Sequence, residues 1–304
     1  MALYLVTGGA GFIGSHIAET LVLRGERVRV LDNFTTGKRD NVQHLPVEVI
    51  EGDIRHLDVV RMATRGVDFV IHQAAVVSVT QSVSDPLSTH EVNVTGTFNV
   101  LMAARESVVK RVVFASSCAV YGDNDALPLQ ETAELRPKSP YAISKLMGEL
   151  YCRAYTQMFG LPTVCLRYFN IYGPRQDPNG EYAAVIAKFT QRMKAGQPPI
   201  IYGDGLQTRD FVHVSDVVRA NLLACEDERA VGEVFNIAAG QGVSLLELVD
   251  TLNQLGNAQI RPQFAGPRIG DISHSTGDAN RIAALLGLRT EMPLERGLRQ
   301  LHDE

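Results

Sequence analysis

The chain has 304 residues, room for one large domain or two modest ones, and 45% hydrophobic against 21% charged residues excludes a disordered or fibrous polymer. Its 29 Lys and Arg against 34 Asp and Glu leave a net charge of −5, which argues against a nucleic-acid groove. Four widely spaced cysteines without a CxxC pair give no disulfide or zinc framework, and no apolar run reaches the ~18–20 residues of a bilayer span, so no membrane is expected and the cytosol is the expected compartment.

The N-terminal run Met1–Gly14 lacks a basic leader and is cut by glycines, so it reads as a buried strand entering a turn rather than a signal peptide. The strand is Leu3–Val6. Behind it Gly8, Gly11 and Gly14 are spaced GxxGxxG, with Phe12 and Ile13 opening an amphipathic helix over Ile13–Arg24. A tight glycine turn lets backbone approach a pyrophosphate and aims a helix N-terminus at the anion. The pattern alone also fits any strand-to-helix turn. The next strand, Val28–Leu31, ends at Asp32, 18 residues after Gly14. A carboxylate there accepts from an adenosine ribose diol and repels a 2′-phosphate, which favours NAD over NADP. A third strand, Val47–Ile50, leads to Asp53, which suits either the adenine edge or a turn cap.

A helix over Asp58–Thr64, a strand Phe69–Ile71, a helix Thr95–Ser107 and strands Val112–Ala115 and Thr163–Leu166 continue the alternation. Strands without polar alternation are buried on both faces, so the fold class is α/β: a Rossmann-type doubly wound parallel sheet. Ser116-Ser117 closes the fifth strand, at the strand ends where open α/β sheets bind ligands. Tyr141 and Lys145 lie at i and i+4 on one helix face behind Pro140. A free Tyr, with a pKa of about 10, is a poor base at neutral pH, and lowering it by ~3 units takes about 4 kcal/mol. The Lys ammonium and an oxidised nicotinamide both act in that direction, while Ser117 hydrogen-bonds the reacting alcohol or ketone. After Phe169 the rhythm loosens around Pro174, Pro178, Pro198 and Pro199, and the runs Phe211–Val214 and Val234–Ile237 are expected to return to the sheet. His72, His213 and His274 have no metal-ligand spacing, and no metal is expected.

Together with Thr7–Gly14, the runs His72–Ala75, Asn93–Thr97, Ser116–Gly122, Tyr141–Lys145, Arg167–Asn170 and Arg209–Val214 closely resemble the extended short-chain dehydrogenase/reductases, specifically the NAD-dependent nucleotide-sugar epimerase/dehydratase family. The likeness covers essentially the whole chain. It implies an NAD-binding domain over 1–168, to which 210–240 returns, and a smaller α/β lobe over 169–304 that binds the nucleotide sugar. It implies cofactor contacts from the glycine turn, from Asp32, Asn33, Phe34, Thr36, Gly37, Asp53 and Ile54, from Gln73, Ala74, Ala75 and Asn93, from Tyr141 and Lys145, and from Phe169 beside the nicotinamide. On the substrate side it implies Ser117, Asn170, Val185, Tyr202 stacking on the base, Arg209 and Arg268 on the diphosphate, Asp271 on the ribose, and Ser275 near the sugar.

Within the resemblance, dehydratases carry two acids before the Val-Tyr-Gly run and decarboxylases a Glu; here Cys118 and Ala119 stand before Val120-Tyr121-Gly122. The remaining Ser-Tyr-Lys set implies C4 epimerisation of a UDP-hexose through a 4-keto sugar, with UDP-glucose and UDP-galactose expected. The small Ser275, where some relatives have Tyr, leaves room for UDP-GlcNAc and UDP-GalNAc, whereas Val77 replaces a Lys often found there. A decarboxylase, dehydratase or reductase of the same family, and a non-enzymatic NAD-binding regulator, remain alternatives. A homodimer paired through Thr95–Ser107 and Tyr141–Phe159 is also implied.

Overall fold

The computed structural model describes residues 1–178, 185–266 and 272–303. Seven parallel strands form the central sheet: β1 (Leu3–Thr7), β2 (Arg27–Asp32), β3 (Glu48–Glu51), β4 (Phe69–His72), β5 (Arg111–Ser117), β6 (Thr163–Tyr168) and, later in the chain, Val234–Ile237. Their spatial order is β3-β2-β1-β4-β5-β6 and then Val234–Ile237. Every β1 and β6 residue is buried, because crossover helices cover both faces. Chain order reverses between β1 and β4, and the crevice beyond their C-terminal ends is where such a sheet binds ligands.

The crossovers are α1 (Phe12–Leu23), α2 (Leu57–Thr64), α3 (Val79–Ser84), α4 (Pro86–His90), a π-turn at Glu91–Gly96 running into α5 (Thr97–Glu106), and α6 (Pro140–Phe159). α6 is strongly specified locally. The Ser139 hydroxyl accepts from the Ala142 amide at 3.1 Å, Pro140 occupies the first turn, and Gly160 ends the helix at φ +67°. On one sheet face Ile17, Ala18 and Leu21 of α1 share a core with Val217, Val218 and Leu222; on the other, Val60 and Ala63 of α2 and Leu101 and Ala104 of α5 share one with Cys152 and Tyr155 of α6.

Beyond β6 the chain builds a second layer: β7 (Asn170–Tyr172), α7 (Val185–Lys194), β8 (Ile200–Tyr202), β9 (Thr208–His213), α8 (Val214–Glu226), β10 (Val234–Ile237, the seventh sheet strand), β11 (Gly242–Ser244), α9 (Leu245–Leu255), β12 (Gln263–Ala265), β13 (His274–Ser275), α10 (Asn280–Leu286) and α11 (Leu294–Asp303). The expectation for Phe211–Val214 needs correction. Phe211–His213 belong to β9, which pairs with β7, β11 and β13 outside the large sheet, and Val214 opens α8. The position beside β6 is filled by β10, in register Val234 to Cys165, so β9 is left to pair with β7 as it peels away. Phe189, Ile201, Phe211, Leu248 and Leu298 form the core of this lobe.

Candidate active site

Glycine geometry makes the first wall. Gly8 sits at φ +66°, and a Cβ there would lie 2.8 Å from the Ala74 amide nitrogen; a Cβ on Gly14 would collide with the Gly8 carbonyl oxygen. β1, α1 and the residues after β4 therefore meet backbone to backbone, as dinucleotide turns require. Gly11 is the N-cap of α1 and offers no side-chain acceptor, and no acid lies in the first turn, which suits the opening amides to an anion. Asp32 ends β2, buried, with Oδ2 accepting from the Ala10 amide at 2.9 Å and Oδ1 from the Phe34 amide at 2.8 Å. Each oxygen keeps a second lone pair for a ribose hydroxyl. Gly37 packs directly against this carboxylate, where a Cβ would come within 2.8 Å of Oδ1. This cradle fits an NAD pyrophosphate and ribose.

The other expected cofactor contacts divide. Asn33 and Thr36 are exposed at the mouth of the crevice, and Phe34 takes a left-handed φ of +55° under the Arg39 guanidinium. Asp53 accepts from Asn33 Nδ2 at 2.9 Å and from the Arg55 amide and guanidinium; those bonds hold its pKa down to about 2 although burial pushes the other way. It is a turn carboxylate first. Ile54 is buried against Gly96. The Gln73 amide is committed to Tyr168 Oη at 2.9 Å and Asn221 Oδ1 at 3.2 Å, so it offers the crevice backbone rather than side chain, like Ala74 and Ala75 after it. Phe169 is buried with its ring against Gly277.

Ser117 ends β5, and Tyr141 and Lys145 occupy the first turns of α6, which packs on that strand. Lys145 is buried; Nζ donates to the Ala115 carbonyl at 2.8 Å and stands 5.9 Å from the Tyr141 ring centre. Burial lowers its pKa to about 8. The sequence expectation joins Lys145 with an oxidised nicotinamide in lowering the phenol; among the chain's own groups, burial acts in the opposite direction. Burial pushes Tyr141 up to about 12, and the opposing pull comes from a side-chain hydrogen bond with Ser117.

Behind this set is a buried carboxylate that sequence reasoning missed. Glu149, one turn beyond Lys145, accepts from Ser116 Oγ and in bidentate fashion from Arg167 Nε (2.9 Å) and Nη2 (2.7 Å); Arg167 also donates to Tyr121 Oη at 2.8 Å. Ser116 and Arg167 are register partners on β5 and β6, so this charge-assisted clamp ties both strand ends to the catalytic helix. The helix spacing puts positions 141, 145 and 149 on one face, but nothing in it names Ser116 or Arg167 as the partners of Glu149. Asn93, expected among the cofactor contacts, instead bridges the loop after β4 and the catalytic helix. Its side chain exchanges two bonds with Val76 backbone (2.8 and 2.9 Å) and donates to Ser144 Oγ at 3.0 Å. The π-turn that aims it was invisible in the residue pattern.

On the lobe side, Ser275 is buried, is the register partner of Arg209, and lies with Oγ 4.0 Å from Cys118 Sγ, next to Ser117. Asn170 begins β7 and donates weakly to the Asp210 carbonyl at 3.4 Å; Arg209 reaches back to the Thr208 carbonyl at 2.9 Å. Tyr202 ends β8, and Val185 opens α7 on the lobe core. Arg268 and Asp271 lie outside the described residues. A second missed residue, Asp210, is fully buried and accepts from the amides of Ala239 (2.7 Å), Gly240 (3.0 Å) and Gly277 (3.1 Å). It joins β9 to the loop after β10 and to the residues after β13. Even so, burial raises its pKa to about 6.

A parallel sheet with a glycine cradle at its topological switch point, and Ser, Tyr and Lys converging beside it, defines a dinucleotide-dependent enzyme of the Rossmann class. The model of the NAD dependent epimerase/dehydratase family matches residues 4–238. A putative UDP-glucose 4-epimerase of Methanocaldococcus jannaschii is 41% identical over 299 residues, 98% of this chain and 96% of that one. The Thermus thermophilus UDP-glucose 4-epimerase solved with NAD is 41% identical, with a TM-score of 0.92 over 99% of this chain and 98% of that one. A UDP-N-acetylglucosamine 4-epimerase from Methanobrevibacter ruminantium, in complex with UDP-N-acetylmuramic acid, is 36% identical, with a TM-score of 0.95 over 99% and 97%. The chain belongs to the NAD-dependent epimerase/dehydratase family, and NAD is its cofactor. Among the described residues, no helix is long and apolar enough to cross a membrane.

Proposed function

We propose that the chain catalyses reversible C4 epimerisation of a UDP-hexose, in the cytosol, with residues 1–168 serving mainly the cofactor and 169–304 mainly the nucleotide sugar. The observation that carries this reading is the convergence of Ser117, Tyr141 and Lys145 at one strand end while the two following positions are Cys118 and Ala119. That is enough to oxidise and reduce a carbinol, without the acid and base an elimination needs. Bound NAD supplies the two-electron acceptor and donor. Tyr141 accepts the C4 hydroxyl proton and later returns it, Ser117 orients the oxygen, and Lys145 keeps a positive charge beside the phenol. Among the chain's own groups burial keeps the proton on the Tyr141 phenol, and the positive charge of an oxidised nicotinamide would favour its release.

The small Ser275 beside Cys118 supports acceptance of N-acetylated sugars as well. An apolar stripe on α6, with Ile143, Leu150 and Met158 exposed at helical spacing, supports a homodimer. Incubation with UDP-glucose, UDP-GlcNAc and UDP-glucuronate, with products separated, tests the reading. Epimers are expected, whereas a pentose product or stoichiometric NADH overturns it. Tyr141→Phe should abolish turnover with NAD still bound; a wild-type rate would sink the mechanism.

A further inference from the structure

His72 ends β4 and is 2% exposed, with both ring nitrogens bonded. Nδ1 lies 2.7 Å from Thr7 Oγ1 and Nε2 lies 3.0 Å from Thr97 Oγ1. The proton positions follow from donor accounting. The Thr97 hydroxyl donates its single hydrogen to the Asn93 carbonyl at 2.6 Å, so toward His72 it only accepts, and Nε2 must carry the ring proton. Nδ1 is then an acceptor, filled by the Thr7 hydroxyl, while Thr7 Oγ1 accepts the Ala74 amide at 3.3 Å. The bonds run one way, from Thr7 through His72 and Thr97 to Asn93. From Asn93 they reach Ser144 Oγ, which donates to the Tyr141 carbonyl at 2.7 Å. Thr7 precedes Gly8 of the dinucleotide turn, so the first residue of this run is at the cofactor and the last at the catalytic tyrosine.

We propose that His72 is a positioning residue which, held neutral with its proton on Nε2, ties the dinucleotide turn to the catalytic helix, so that cofactor seating and the pose of Tyr141 are set together. Burial, with the Lys145 cation in reach, independently drives the ring pKa down to about 3. A cationic ring would put a proton on Nδ1 against a hydroxyl whose own hydrogen has no other acceptor among its bonds. The inference rests on the reading of Tyr141 as proton acceptor, but its spectroscopic test does not.

In holoprotein labelled with 15N-histidine, one of the eight rings, assigned by its loss in His72→Gln, should show the neutral Nε2–H pattern unchanged from pH 5 to 8. A cationic ring or an Nδ1–H tautomer in that range overturns the proposal. The kinetic arm uses Thr7→Val and Thr97→Val. A misplacement of about 1 Å costs on the order of 100-fold in rate, and cutting one bond while the rest of the run holds should displace Tyr141 by only part of that, so each variant is expected to lose about tenfold in kcat with KM for the UDP-sugar unchanged. Because both cut the same connection, the double variant should lose less than the product of the two. Multiplicative losses, or a wild-type kcat in either single variant, overturn it. Turnover surviving in Tyr141→Phe would instead remove the underlying reading and leave the tautomer result standing.

Discussion

Asp210→Asn isolates one buried charge. In the folded protein Asp210 is fully buried and its pKa is raised to about 6 from an ordinary 3.8. A carboxyl whose folded pKa is raised binds its proton more tightly folded than unfolded, so its contribution to stability is full below pH ~4 and is lost as pH rises through ~6. Two pKa units correspond to about 3 kcal/mol. The wild type should therefore lose up to about 3 kcal/mol relative to Asp210→Asn as pH rises from 4 to 7, all other groups being common to both. The assay is urea unfolding of both proteins at saturating NAD, followed by circular dichroism at half-unit pH steps. A stability difference that is flat with pH, or that grows in the wild type's favour as pH rises, would refute the reasoning. It would mean that the amides of Ala239, Gly240 and Gly277 stabilise the carboxylate more than burial penalises it.

Asp32→Ser should bring NAD and NADP affinities close together by weakening NAD, since the Ala10 and Phe34 amides also lose their acceptor; titration of stripped protein with each dinucleotide checks this. Ser275→Tyr should cut UDP-GalNAc turnover by about 5- to 150-fold more than UDP-galactose turnover, the equivalent of ~1–3 kcal/mol of overpacking, measured by paired assays; equal losses would deny Ser275 a selective role. Leu150→Asp, in the middle of the exposed α6 stripe, should give a monomer by light scattering at micromolar concentration, and an unchanged mass would move the dimer face elsewhere.

The sheet was legible because parallel strands buried on both faces leave continuous apolar runs, and β1, β2, β4, β5 and β6 lie within a residue or two of those runs. Phe211–Val214 misled for the same reason: an apolar run declares burial, not which sheet buries it. The site was legible where backbone geometry demands particular residues, as at Gly8, Gly14 and Asp32. It was opaque where function depends on partners far apart in sequence. Nothing in the spacing of Glu149, Arg167 and Ser116 announces one carboxylate shared by two strand ends, and Asp210 shows its role only once loops 29 and 67 residues away converge on it.

The phenol and the ammonium illustrate the same gap chemically. Tyr141 and Lys145 at i and i+4 suggested that the lysine, together with an oxidised nicotinamide, would activate the tyrosine. Burial acts on both groups, raising one pKa to about 12 and lowering the other to about 8, each toward its uncharged form. A site arranged so resists spontaneous proton loss. Only a further positive charge in the crevice, close to the phenol, tips the balance toward phenolate. Bound NAD in its oxidised form would supply such a charge, and under the proposed reading Tyr141 would take up the substrate proton and later return it. The epimerisation proposed above begins and ends with the same redox state and the same proton count, and such a coupling would serve it.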